Sequence, residues 1–137
     1  MPVVTALSLL LLIAARPATQ GEPSPLYQEM SGLKDNLKSL AMSISGSDTD
    51  AALRHVAAMQ QHALTAKLME PANLDAYSGD EAAAHQVAFR KRMASLLSEL
   101  IDLEVDLLDG DPQAAFARVT GSLYKLREAA HAEFQDE

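Results

Sequence analysis

Six apolar residues, Leu26, Met30, Leu33, Leu37, Leu40 and Ile44, recur at spacings of four, three, four, three and four, and Phe89, Met93, Leu96, Leu100, Leu103 and Leu107 repeat that spacing later in the chain. A period near 3.5 residues lines each set along one face of a helix, whereas strand side chains change face at every residue. Each stripe must be buried against another helix, so the pattern commits the chain to helix-on-helix packing. No segment alternates with period two. Composition agrees: aromatic residues are 4% of the total, there is no Trp, and Ala and Leu outnumber the β-branched residues that favour strands.

Breaks between the stripes are readable. Ser24-Pro25 is an N-cap followed by a proline in the first turn. The first helix stops at Ser45-Gly46-Ser47, with Gly46 suited to the C-terminal cap, and Asp48 to Asp50 supply a cap and negative charge for the next N-terminus. The second helix is predicted from Thr49 to Met69, with Leu53, Val56, Met59, Ala63 and Leu64 inward, ending before Pro71. After the longest connection, Glu70 to Ser78, the third helix begins near Asp80 and runs to Leu108. Asp109-Gly110-Asp111-Pro112 combines a stop, a cap and a helix-starting proline. The fourth helix carries Phe116, Val119, Leu123, Leu126, Ala130 and Phe134, with Tyr124, Arg127 and His131 in a neighbouring column. Short connections make neighbours antiparallel, so the expected fold is an all-α, antiparallel up-down-up-down four-helix bundle over residues 21–137. Both termini and the connection between helices 2 and 3 then share one end.

Residues Val3 to Ala15 form an uncharged run of thirteen, the length of a signal-peptide core and too short to span a bilayer of about 30 Å. The stretch before it carries no Lys or Arg, but Pro17, Pro23 and Pro25 separate it from the first helix. Residues 1–20 are therefore read as a leader cleaved near 15–18, which implies export to the periplasm and no membrane span in the mature chain. With 11 Lys and Arg against 19 Asp and Glu, the net charge of -8 argues against nucleic acid as a partner. The absence of Cys excludes disulfide scaffolds, thiolate metal sites and covalent Cys-x-x-Cys-His haem attachment.

Few residues carry chemistry. His55 and His62 flank Met59 on one helix; together they are either a copper site or a core methionine with two boundary histidines. His85, near the start of helix 3, is expected in a solvated role. A ferritin-like di-iron site needs two Glu-x-x-His motifs, and Glu128 to His131 supplies one without a second. No Ser/His/Asp constellation or phosphate loop occurs, so an enzyme is not expected. Antiparallel packing sets Met30, one turn into helix 1, opposite His131 near the end of helix 4. A thioether facing an imidazole across the end of a bundle can hold a haem iron; the same residues also suit core filling and helix-dipole complementation.

At these positions the sequence resembles the soluble cytochrome b562 family. The segment from Met30 through Leu33, Asp35, Asn36 and Leu37 to Lys38 is similar to the family's Met-x-x-Leu-x-Asp-Asn-Leu-Lys. Met59 with Ala63-Leu64, Pro71 and Leu74-Asp75 follows its spacing, and so does Phe89-Arg90. Arg127 to His131 resembles its Arg-x-x-Tyr-His, with Ala130 in place of Tyr and one extra residue near Asp111 to Gln113. The resemblance implies one non-covalent haem b per chain, with Met30 and His131 as axial iron ligands. It also implies a pocket from Leu33, Leu37, Met59, Phe89 and Met93, and a propionate contact from Arg127, which otherwise reads as a surface ion pair. Electron transfer with an unidentified, transient redox partner would follow, by a monomer. The alternative is a cofactor-free or metal-binding exported helical bundle.

Overall fold

The computed structural model describes residues 23–135; the predicted leader and its cleavage site lie outside them. The bundle is all-α, with no strand among the described residues. Helix α1 spans Pro25–Ser45, α2 Thr49–Ala66 and α3 Gly79–Leu108, and a single 3-10 turn at Leu74–Ala76 interrupts the connection before α3. The fourth helix is continuous but uneven: α4 (Pro112–Arg118), a π turn (Val119–Leu123) and α5 (Tyr124–Phe134). The helices pack in sequence, α1 on α2, α2 on α3 and α3 on the fourth.

Local chemistry sets the helix ends. Ser24, Asp48 and Asp111 each accept a hydrogen bond from the backbone N–H three residues on, at 3.1, 3.0 and 2.9 Å, which satisfies a donor that the first turn leaves open. The C-termini of α1 and α3 close in one way: the N–H of Asp48 reaches the Ser43 carbonyl at 2.9 Å, and that of Asp111 the Asp106 carbonyl at 2.9 Å. Such a closure needs one left-handed residue. After α3 this is Gly110, with φ 72; after α1 it is Ser47, with φ 59, while the expected Gly46 is right-handed at φ -84.

Leu40, Val56, Leu100 and Leu103, one or two from each of α1 to α3, are the largest fully buried side chains. Ala52, Ala63, Ala66 and Ala115 fill the narrow spaces around them. Helix α2 ends at Ala66 rather than Met69, because the N–H groups of Leu68 and Met69 bond to carbonyls three residues back, tightening the last turn ahead of Pro71. Leu64, expected inward, is exposed, and Ala66 takes the inner position.

The fourth helix departs most from expectation. Phe116 is exposed and Ala115 buried in its place, so the inner stripe runs Ala115, Val119, Leu123. Two successive steps of four overshoot two α-helical turns by about 0.8 residue. The π turn over Val119–Leu123 absorbs roughly one residue, and Ala130 and Phe134 return to the core side, while Leu126 lines a cavity between α1 and α5. Arg118 anchors the near end of this turn: its Nε donates to Asp106 at 2.9 Å and its Nη1 to Glu99 at 3.1 Å, with Asp102 at 3.8 Å. The Ser122 hydroxyl, inside the turn, donates to Glu99 at 2.7 Å. That hydroxyl holds the Glu99 carboxyl below the usual carboxylate range, against its partial burial and with help from Arg118; the paired carboxylates in turn raise the Arg118 pKa.

Two outcomes test these assignments. Ser47→Gly relieves the left-handed strain and stabilises the fold by up to ~1 kcal/mol, whereas Gly110→Ala destabilises it, both read from urea denaturation. Ser122→Ala costs about 0.5 to 1 kcal/mol at neutral pH. Because the folded Glu99 pKa is depressed, that contribution is present above about pH 4.3 and fades as the pH falls through the folded value. The two denaturation curves therefore converge in acid.

Candidate functional site

At the end of the bundle that holds both termini, the stripe of α1 loses its cover. Leu33 is buried but Leu26, Met30 and Leu37 are only half-buried, as are Leu96 on α3 and Ala130 and His131 on α5. Helix α1 meets the fourth helix through α4, and the facing stretch of α5 leaves a cavity of ≈ 280 Å³ between them that opens to solvent. Met30, Leu33, Leu37, Met59, Met93 and Leu96 line it on one side; Leu123, Leu126, Ala130 and His131 line it on the other. Its walls are mostly apolar; Tyr27, Ser31, Gln135 and His131 add polar atoms, and three cations, Lys34, Arg92 and Arg127, also border it.

Met30 and His131 thus border one cavity, with Arg127 one turn before the imidazole. The ring nitrogens of His131 have no hydrogen-bond partner among the described residues, and neither Arg127 nor Lys34 has an ion pair there. Arg92 is held by Glu133 at 2.8 Å. Three cations at one opening stand out in a chain with eight more acidic than basic residues. Arg92 and Lys34 went unassigned at the level of sequence, although Lys34 follows Met30 by one helical turn and Arg92 adjoins Met93. Phe89 does not line the cavity: it is buried behind the wall, edge-on to Phe134 with ring centroids 5.2 Å apart.

His85 is buried rather than solvated. The connection before α3 folds over it, with the Tyr77 ring stacked at 4.1 Å. Its Nε2–H donates to Asn73 Oδ1 at 2.7 Å, and Asn73 Nδ2 donates to the Glu133 carbonyl at 3.0 Å. That carbonyl belongs to the last turn of α5, which has no intrahelical donor for it. One amide therefore ties the connection, α3 and the end of α5 together, two residues beyond His131.

The other two histidines serve the α1–α2 contact. His62 Nδ1–H donates to Glu29 Oε2 at 2.6 Å, with its ring against Gly32, where a Cβ would collide with it. His55 Nδ1–H donates to Asn36 Oδ1 at 3.0 Å, while Asn36 Nδ2 donates to the Gly32 carbonyl at 2.8 Å. Both imidazoles are tied to α1, and Met59 is turned into the cavity wall. The described residues hold no cluster of three or more His, Cys, Asp or Glu able to hold a metal ion. Nor do they include a helix long and apolar enough to cross a membrane.

Neither protein-family models nor curated proteins match the chain, which leaves the functional reading to the chemistry of the cavity. The Asn73 clamp generates a prediction of its own: Asn73→Ala leaves the His85 Nε2–H and the Glu133 carbonyl unpaired, at a cost of about 1–3 kcal/mol. Amide exchange accelerates selectively in the last turn of α5.

Proposed function

We propose that this protein is an electron carrier that binds haem b non-covalently in the cavity between α1 and α5, where Met30 and His131 would hold its iron. The observation that carries the reading is the combination on one mostly apolar cavity of a thioether, an imidazole with no hydrogen-bond partner among the described residues and three cationic side chains. This donor set fits a planar, apolar, dicarboxylate ligand with a central iron. A bundle needing no ligand would interdigitate the same side chains instead of leaving a void. When bound, haem would supply a one-electron ferric/ferrous couple, with the Met30 thioether and the His131 imidazole as the side chains that would hold it.

This chain's residues divide the remaining work. Leu33, Leu37, Met59, Met93 and Leu96 exclude water. The soft Met30 thioether and these walls disfavour added positive charge at the site, which raises the potential. Arg127, one turn from His131, Lys34 and Arg92 bind the carboxylates by charge-assisted hydrogen bonds. The cavity falls just below the ~300–1,000 Å³ usual for small-molecule pockets, and a porphyrin exceeds it, so uptake displaces the exposed Lys34 and exchanges the Arg92–Glu133 pair for one with the ligand. Phe89 acts from behind the wall, by supporting Phe134. The acidic surface suits brief docking with a basic redox partner, and the uncharged run Val3 to Ala15 supports export to the periplasm.

Titration of the purified protein with equimolar haem tests the reading. Sharp low-spin bands on reduction are expected, with Met30→Ala giving a high-spin species and His131→Ala abolishing or greatly weakening binding. At a thousandfold excess over the dissociation constant haem adds roughly 4 kcal/mol of stability. A free-haem spectrum from folded protein overturns the proposal.

A further inference from the structure

The outer face of α3 repeats the signature that its inner face uses to build the core. From Val87 through Lys91, Ala94, Ser98, Ile101 and Val105 to Leu108 the spacing is four, three, four, three, four and three, and all seven residues are exposed. Val87, Ile101, Val105 and Leu108 are 52%, 48%, 48% and 65% exposed. The corresponding face of α1 instead carries Lys34, Asp35 and Lys38. A heptad seam about 30 Å long, five of its seven residues apolar and Lys91 and Ser98 polar, at the surface of a protein of this charge is the pattern of a helix that packs against another helix.

Charge specifies which helix that is. The three cations of α3 are consecutive, Arg90, Lys91 and Arg92, and four of its six acids, Glu99, Asp102, Glu104 and Asp106, follow in its second half. A parallel pairing with an identical helix sets cations on cations and acids on acids. An antiparallel pairing lays the basic third of each helix on the acidic third of the other, twice over, as a two-fold axis requires. Arg90 and Glu104 both flank the seam on the same side, at positions that face each other across an antiparallel helix pair. None of the seven seam residues lines the cavity, so the two faces of α3 are independent.

We propose that the outer face of α3 is the interface of an antiparallel homodimer, in which α3 lies against α3 of a second copy about a two-fold axis passing between Ala94 and Ser98. This departs from the monomer expected from the sequence. Glu99, Asp102 and Asp106 stay with Arg118 and Glu104 keeps its bond from Gln60 Nε2 at 3.0 Å, so the other copy meets Arg90 and Lys91 at one end and, at the other, the negative charge these four acids hold in excess of a single guanidinium.

Sedimentation of the purified chain over a wide concentration range, with and without haem, reads the association. Concentration-dependent dimer is expected in both cases. Ile101→Arg, at an exposed position that leaves the helix content unchanged, weakens association about tenfold or more. Arg90→Glu weakens it too, and Arg90→Glu combined with Glu104→Arg restores it. Because the chain has no cysteine, single replacements report orientation: under mild oxidation Ser98→Cys cross-links between copies and Leu108→Cys does not. A monomer at every concentration overturns the proposal, as does a dimer indifferent to Ile101→Arg or one that cross-links only through Leu108→Cys.

Discussion

The layer formed by Leu40, Val56, Leu100 and Leu103 holds the bundle together, because it is where α1, α2 and α3 bury side chains without remainder. Its position, toward the end that carries the two short turns, decides the rest. Each turn reverses the chain within a few residues by one backbone device, a hydrogen bond across six residues with a left-handed residue immediately before its donor. Neighbouring helices therefore cannot separate at that end. The opposite end has only the longer connection between α2 and α3 to close it, and closure there is left to side chains.

Those side chains do not fill the space. Ala130 presents one carbon where a larger residue would reach across, and α5 stands off α1 beyond the π turn. Two features keep this loosened end in order. Asn73 bonds the last turn of α5 to the connection over His85, and Glu29 holds His62 near the start of α1 while Asn36 holds His55 at its middle. Both braces lie outside the cavity and leave its apolar walls intact. The ligand proposed for this cavity would therefore meet apolar walls and three cationic side chains, Lys34, Arg92 and Arg127, without disturbing either brace.

The acidic excess of the chain is unevenly spent. Around Arg118 three carboxylates converge on one guanidinium, and Ser122 bonds the carboxyl that burial would otherwise penalise. This cluster fastens α4 to α3 at the point where the helix changes pitch. The π turn is thereby held in place from both of its ends.

Helix number, helix order and the inner stripes of α1 and α3 are determined by the sequence alone, because a 3.6-residue period and the Ser24, Asp48 and Asp111 caps act within a few residues of themselves. The candidate site was legible to the same extent: Met30, Leu33, Leu37, Met59, Met93, Arg127 and His131 were each assigned from helical position or from the resemblance, and each lines the cavity. Tertiary structure alone decided the rest. Phe116 gave way to Ala115 because a π turn, invisible to a fixed period, shifted the helix by one residue. Ser47 took the left-handed position in place of Gly46 because the closing hydrogen bonds fell one residue later. His85 became buried because Asn73 and Tyr77 fold over it, and Phe89 left the cavity wall for Phe134, 45 positions further along. Arg92 joined the rim beside Glu133, 41 residues distant. Contacts of that separation depend on where whole helices come to rest, and no local pattern contains them.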